Sequence, residues 1–274
     1  MLFEEIKSTD CAFFDSHAHY YDERFYGEEN PDGADTLLTV LFEQGLLGAV
    51  NVSASYPASL KVIEQAKRFD KMYAAVGVHP EELVSEGMSY IEQIEKIRSL
   101  AQDREANKIV AIGEIGLDYY WRQDNKQEQK DCFERQLALA KELSLPVIIH
   151  DREAHGDCFE TVLRYPNVKG VFHSYSGSAE MAKELVKRGW YISFSGVVSF
   201  KNAAKIKEVA ACVPDDRILI ETDAPYLAPH PFRGKINHSG RLFYTASALA
   251  EARGTDVKTV SALTYRNARV LFAI

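Results

Sequence analysis

The sequence predicts a (β/α)8 TIM barrel, and three observations favour that class. Short apolar or β-branched runs alternate with longer amphipathic runs along all 274 residues. Eight of the short runs have the length and composition of strands. The chain length suits a barrel, which commonly takes about 250 residues as one unit. The alternative is an open doubly wound sheet, but no G-x-G-x-x-G follows the first strand. We therefore expect one domain over residues 1–274.

The predicted strands are 12–19, 48–53, 72–79, 109–116, 146–151, 169–174, 190–196 and 217–223. Helical patterns lie between them, with apolar residues three and four positions apart. They include 34–45, 58–69, 88–102, 126–144, 178–189 and 202–213. Gly45, Gly189 and Pro146 stand where helices should stop.

Composition narrows the partners and the compartment. The formal net charge of −8 opposes an extended footprint on nucleic acid, so any contact with nucleic acid must be local. The acidic start MLFEEIKSTD lacks the pattern of a signal peptide, and no apolar run nears the roughly 18 residues of a membrane span. The four cysteines, at 11, 132, 158 and 212, form no C-x-x-C pair and are expected to be reduced. We expect a cytoplasmic protein with no membrane partner and no obligate protein partner.

Polar residues that bind metals lie at the carboxyl ends of six predicted strands. They are His17 and His19 on the first, His79 on the third, Glu114 on the fourth, His150 on the fifth, His173 on the sixth and Asp223 on the eighth. In a barrel these ends converge on one face, where active sites are built. A single histidine there is usually a half-buried polar residue, but separate ordinary explanations do not place so many ligands on one rim.

This set exceeds what one tetrahedral ion needs, so we predict two divalent ions. Glu114 is the natural bridge, because a carboxylate has two oxygens to share. The first ion would take His17, His19 and Asp223, and the second would take His150 and His173. Zinc, manganese or magnesium would suit such ligands. The ions would activate a water for hydrolysis, and Asp223 is also the candidate base that accepts its proton.

Three other features have open interpretations. The loop 228–242 contains no acid, and its Arg233 and Lys235 predict an anion site, although a solvated loop explains it equally well. Its other basic side chains are His230, His238 and Arg241. Tyr119, Tyr120 and Trp121, which follow Glu114, would stack on bases or pack under a lid. Asp15 would either orient a histidine or cap the backbone.

The motifs as a set resemble the TatD family of metal-dependent deoxyribonucleases. They occur in family order and are F-D-S-H-A-H, G-V-H-P, A-I-G-E-I-G-L-D-Y-Y, L-P-V-I-I-H, F-H-S-Y-S-G-S, L-I-E-T-D-A-P-Y-L and T-Y-R-N-A-R-V-L-F. The resemblance implies a metal-dependent hydrolase barrel that acts on DNA phosphodiesters. The metal ligands that it implies are His17, His19, Glu114, His150, His173 and Asp223. It implies that His79 is a residue for substrate binding or proton transfer and not a ligand.

One segment departs from the family. Arg233-Gly234-Lys235 is followed by Ile236-Asn237-His238-Ser239, where relatives usually read N-E-P, so we expect the fine shape of the substrate loop, but not the metal site, to differ from theirs.

The leading hypothesis is a deoxyribonuclease that acts on ends or single strands. The alternative is a metal-dependent amidohydrolase or ester hydrolase of a small molecule or of D-aminoacyl-tRNA. A protein that keeps a metal only for stability is disfavoured, because a closed structural site needs neither two ions nor open positions.

Overall fold

The computed structural model describes residues 13–27 and 32–274, and within them it forms the predicted barrel. The eight barrel strands are β1 Phe14–Ala18, β2 Gly48–Val52, β3 Met72–Val76, β6 Ile109–Asp118, β7 Val147–Arg152, β8 Gly170–Phe172, β9 Tyr191–Phe194 and β10 Ile218–Ile220. They are parallel and follow the order β1-β2-β3-β6-β7-β8-β9-β10. A short hairpin, β4 Val84–Ser85 with β5 Met88–Ser89, follows β3. Cys11 and the first residue of the first predicted strand lie outside the described residues.

Backbone bonds at the rim join the first strand to the segment after the last one. The His19 amide donates to the Ala224 carbonyl at 2.7 Å, and the Asp223 amide donates to the His17 carbonyl at 2.9 Å. These bonds bring the two ends of the sheet together. They also set His17 and His19 beside Asp223, although these residues are far apart in sequence.

The helices cover the outside of the barrel. They are α1 Asp35–Glu43, α2 Tyr56–Arg68, α3 Tyr90–Gln102, α4 Lys126–Leu143, α5 His155–Leu163, α6 Ala179–Lys187, α7 Ala204–Cys212, α8 Leu242–Arg253 and α9 Val257–Phe272. The six predicted helical ranges match α1 to α4, α6 and α7. None of the helices in the described part of the chain is long and apolar enough to cross a membrane.

The barrel interior is filled by alternate strand residues. Val50, Ala75, Ile148, Val171 and Leu219 belong to one buried cluster, separate from the larger cluster between strands and helices. Full burial of such a side chain contributes about 1.5–3 kcal/mol. Because side chains alternate faces along a strand, the next inward positions towards the carboxyl ends are 150, 173 and 221. The apolar interior therefore ends where the polar site begins.

Candidate metal centre

Glu114, on β6, lies at the middle of the polar cluster, and its two oxygens face different groups of histidines. Oε1 is 2.7 Å from His150 Nδ1 and 2.8 Å from His173 Nε2. Oε2 is 3.5 Å from His17 Nε2 and 3.6 Å from His19 Nε2. The carboxylate is almost fully buried, with 4% of the residue exposed. Its geometry is that of a group shared between two neighbouring sites.

The first group is completed by Asp223. Its Oδ1 is 3.2 Å from His19 Nε2 and 3.5 Å from His17 Nε2, and the two imidazole nitrogens are 3.0 Å apart. Asp223 comes three residues after β10 ends and has a φ of 57°. Asp tolerates this left-handed conformation better than most residues do. The irregular backbone thus turns the carboxylate towards the histidines.

The second group rests on the close approach of β6 and β7. Gly116 pairs with His150 across these strands, and a Cβ at position 116 would lie 2.0 Å from the His150 carbonyl oxygen. Only glycine leaves room for that approach. The His150 Nδ1 is 3.3 Å from the His173 Nε2, so both rings present a nitrogen to the same oxygen of Glu114.

Three of these histidines have a hydrogen-bond partner at the ring nitrogen that does not face Glu114, and this partner fixes the orientation of the ring. His19 Nδ1 donates to the Val52 carbonyl at 2.7 Å. His150 Nε2 lies 3.0 Å from Asp118 Oδ2, and His173 Nδ1 lies 3.3 Å from Glu221 Oε1. Such outer partners select the tautomer of a metal ligand. Sequence reasoning missed these two carboxylates, although Asp118 ends the G-E-I-G-L-D run and Glu221 lies in E-T-D.

The charges of the cluster shift the titration of its members. Burial opposes protonation of His150, but Asp118 and Glu114 outweigh it and raise its pKa to about 9. His173 behaves in the same way, since Glu114 and Glu221 raise its pKa well above the usual value. Burial raises the pKa of Glu114, but the surrounding imidazoles outweigh it and hold that pKa well below its ordinary value. Burial and the nearby His173 lower the pKa of His17.

The donor set fits divalent metal ions. The possible ligand atoms of His17, His19 and Glu114 all lie within 4.8 Å of one another, and so do those of His79, Glu114 and His150. His17 Nδ1 is buried and has no hydrogen-bond partner among the described residues, while its Nε2 faces Glu114 and Asp223. Imidazole and carboxylate together suit zinc or manganese.

His79 lies beside the cluster in an orientation that suits a donor. Its Nε2 is 3.7 Å from Glu114 Oε1, and its Nδ1 accepts the Glu81 amide at 3.2 Å. This bond assigns the ring proton to Nε2. Burial, followed by the charge of His150, lowers the pKa of His79 to about 3, so the ring is neutral. As a ligand of the second group, His79 would have to give up the Nε2 proton that this bond assigns.

Asp15 caps the backbone and does not orient a histidine ring. Its Oδ1 accepts the amides of His17 at 3.3 Å and Thr222 at 3.0 Å. Its Oδ2 accepts the hydroxyls of Thr222 and Ser239, both at 2.6 Å. Burial nevertheless dominates and raises its pKa to about 6. Of the two predicted roles, the structure selects the capping role, which ties β1 to the loops after β10.

The cluster forms the floor of a cavity of about 570 Å³. Two basic side chains that the sequence analysis did not select, Arg24 and Arg152, line its walls. Arg233 and Lys235, which it did select, are exposed and are not among the residues lining this cavity. The Arg233 guanidinium lies 4.8 Å from the centroid of the Phe200 ring.

The rest of the basic loop and the aromatic run also differ from expectation. Arg241 and His238 are buried, so the loop is not a wholly solvated basic surface. Tyr119 is buried too, and its hydroxyl donates to Asp157 at 2.6 Å, so of the two predicted roles it takes the packing role. Tyr120 and Trp121 are 53% and 58% exposed. Only these two of the three aromatics are available to a ligand.

Comparison of the sequence with known families gives a match over nearly the whole chain. A family model described as TatD related DNase matches residues 14–273. The chain belongs to the TatD family. Within that family, the uncharacterized metal-dependent hydrolase YabD of Bacillus subtilis is 39% identical over 271 residues, covering 95% of this chain and 99% of YabD. YcfH of Escherichia coli K12, described in the same words, is 35% identical over 263 residues, covering 95% of both chains.

A solved TatD homologue has the same architecture. The crystal structure of YjjV from Escherichia coli K12 matches with a TM-score of 0.85 and 28% identity, covering 96% of this chain and 99% of that one. As a member of the TatD family, the chain is a metal-dependent hydrolase. The resemblance in its motifs is thereby confirmed at the level of the family.

Proposed function

We propose that the chain hydrolyses DNA phosphodiester bonds at ends or in single strands, using two divalent metal ions. The observation that carries this proposal is the division of Glu114, whose Oε1 faces His150 and His173 while Oε2 faces His17 and His19. Two ions bridged by one carboxylate suit an in-line displacement at phosphorus.

Each part of the cluster has a distinct task. One ion would be held by His17, His19 and Asp223. The other would be held by His150 and His173, and Glu114 would bind both ions. Divalent ions held there would supply polarisation of a phosphoryl group and a bound water whose pKa is lowered towards about 7. The outer partners of His19, His150 and His173 keep their rings in place, so the ligand atoms are oriented before the substrate arrives.

Asp223 would accept a proton, and His79 would bind the phosphate. Asp223 turns Oδ1 to the histidines, and its side chain is 14% exposed, which leaves Oδ2 to accept a proton from the attacking water. Its pKa is lowered, because hydrogen bonding to His19 and the charge of His17 outweigh the effect of burial. His79, neutral and with its proton on Nε2, would donate a hydrogen bond to a phosphate oxygen.

Ends or single strands fit this site better than duplex interiors. A chain with a net charge of −8 cannot cover many phosphates of a duplex. The exposed rings of Tyr120 and Trp121 can stack only on bases that are already unpaired. The DNase named in the description of the matching family model supports the same substrate class. We further propose that the protein acts in the cytoplasm.

The test is hydrolysis by metal-reconstituted protein. Metal-depleted protein loaded with manganese or zinc should shorten end-labelled single-stranded DNA, and Glu114→Gln should abolish this. Glu128→Gln, an exposed position on α4, is the matched control and should retain full activity. A panel of small amides and esters and a D-aminoacyl-tRNA is assayed in parallel. Hydrolysis of one of these with intact DNA would replace the proposal by the alternative.

A further inference from the structure

Two arginines face each other across the mouth of the metal cavity. Arg24 lies in the short 3-10 turn Glu23–Phe25 after β1, and Arg152 is the last residue of β7. Both line the cavity. In the order β1-β2-β3-β6-β7-β8-β9-β10, β1 is first and β7 is fifth. The first and fifth strands of an eight-stranded barrel are opposite, so the two side chains stand on opposite walls.

Each guanidinium lies over an aromatic ring. The Arg24 Cζ is 4.2 Å from the centroid of Tyr226, whose hydroxyl donates to Asp22 at 2.8 Å. The Arg152 Cζ is 4.3 Å from the centroid of Tyr120 and 5.4 Å from that of Trp121. Stacking occupies the face of a guanidinium and leaves its in-plane N–H groups for bidentate binding of a phosphate.

Neither arginine is neutralised by a close ion pair. The Arg24 Nε is 4.0 Å from Asp22 Oδ1, and this side chain is 55% exposed. Within residues 13–27 and 32–274, no carboxylate lies at ion-pair distance from the Arg152 guanidinium. Both side chains are held by rings, so less rotamer freedom is lost when they bind an anion.

Acidic side chains on one side of the cavity limit the path that an anionic substrate can take. Glu81 and Glu82 also line the cavity, on the segment after β3, which is the third barrel strand. The two carboxylates would repel a phosphate on that side of the cavity, where the charge of Arg152 also acts on Glu81. An anionic chain would therefore cross from the β1 wall to the β7 wall, passing over Glu114 on β6.

We propose that Arg24 and Arg152 are positioning residues that bind the phosphates on either side of the scissile one. The substrate class is then a single-stranded oligonucleotide with at least three consecutive phosphates. This inference rests on the proposed function, because it takes the reacting group to be a phosphodiester.

The first test separates flanking phosphates from the reacting one. The metal-loaded enzyme is assayed on a tetranucleotide with three phosphates and on bis(4-nitrophenyl) phosphate, which has one. Arg24→Gln and Arg152→Gln should each raise KM for the tetranucleotide about tenfold or more, with kcat unchanged. Neither substitution should change the constants for bis(4-nitrophenyl) phosphate. Arg24→Lys and Arg152→Lys, which keep the charge, should give intermediate values of KM.

Arg269→Gln is the matched control. Arg269 lies on α9 with its Cζ 5.9 Å from the centroid of Tyr265, so it is also an arginine over a tyrosine ring, and it is not among the residues that line the cavity. Its replacement should leave both substrates unaffected.

The second test counts the phosphates. The plot of log kcat/KM for the tetranucleotide against log salt should become less steep by about 0.7 for each arginine replaced. An effect on the packing of the rim alone would leave this slope unchanged. An unchanged slope, or an equal loss on both substrates, would overturn the inference.

The proposed function can fail separately. If the metal-loaded wild type hydrolyses neither substrate, phosphodiesterase activity is rejected, and a fluorescein-labelled tetranucleotide is titrated by anisotropy instead. Weaker binding by Arg24→Gln and Arg152→Gln would retain the arginine pair as an anion clamp. Binding equal to that of the wild type would overturn it.

Discussion

The two halves of the metal centre hold their histidines in different ways. In the β1/β10 half, made of His17, His19 and Asp223, the only outer partner of a ring among the described residues is the neutral Val52 carbonyl. In the β7/β8 half, made of His150 and His173, each ring is backed by a buried carboxylate, Asp118 or Glu221. Glu114 belongs to both halves.

The outer partners in the two halves therefore have different effects on the pKa of the rings. A backbone carbonyl orients an imidazole without adding a net charge, whereas a carboxylate orients it and also stabilises its protonated form through its charge. The pKa of His17 is lowered, first by burial and then by the charge of His173, while that of His150 is raised to about 9. Before metal binds, the β7/β8 half therefore carries protons that a metal must displace.

The largest effect should come from Glu114→Gln, since it removes the group that the halves share. We expect activity to fall about 10³-fold or more and metal stoichiometry to fall below the two ions per chain expected of the wild type. Elemental analysis after reconstitution with excess manganese measures the stoichiometry. A wild-type value that stays at one ion per chain would contradict the bridging role.

Asp223→Asn should disable only the β1/β10 half. It weakens a ligand and removes the candidate base, so kcat should fall about 10²-fold or more with little change in KM. Steady-state kinetics on single-stranded DNA separates the two constants. A variant that changes mainly KM would show that Asp223 binds substrate and does not act in the chemical step.

The barrel was predictable from sequence because its signals are local. Apolar strands at regular intervals and amphipathic helices between them depend only on neighbouring residues, and all eight strands were found. Their ends were less accurate. The strand predicted for 217–223 stops at Ile220, because Asp223 takes a left-handed conformation and the chain turns to pair with β1. Such a turn depends on a partner about two hundred residues away.

The candidate ligands were predictable because strand ends of a barrel meet at one face. Their outer partners were not, since a contact such as Glu221 with His173 depends on the rotation of each side chain. Arg152 also escaped notice, because in sequence it is an ordinary arginine next to Asp151, whereas Arg233 and Lys235 lie in a loop without acids. In the structure, Arg24 and Arg152 line the metal cavity, whereas Arg233 and Lys235 are not among its lining residues.

Asp118→Asn and Glu221→Gln each remove a negative charge from the β7/β8 half only. Each should weaken metal binding in the β7/β8 half by about 10- to 100-fold, the usual range for outer partners of a ligand. Metal binding to the β1/β10 half should be unchanged. Competitive titration with a chelating dye resolves the two affinities, and equal weakening of both would contradict the division into halves.

The smallest expected effect is the pH dependence of metal binding, and its direction follows from the raised pKa values of His150 and His173. At pH 7 to 8 the metal-free protein keeps His150 protonated, since its pKa is about 9, and His173 too, since its pKa is also raised. Metal binds only the neutral ring, so binding to the β7/β8 half releases protons.

Its affinity should therefore fall as pH falls, by about tenfold per pH unit for each proton released. In the β1/β10 half the pKa of His17 is lowered, and only that of His19 is raised, because its burial is outweighed by Asp223 and Glu114, so this half has fewer protons to release and should respond less. Calorimetric titration in two buffers of different ionisation enthalpy counts the protons. Asp118→Asn should reduce the number of protons released when metal binds to the β7/β8 half, because it removes the charge that keeps His150 protonated. A count unchanged by Asp118→Asn would show that Glu114 alone holds the proton and that the outer carboxylate acts through orientation only.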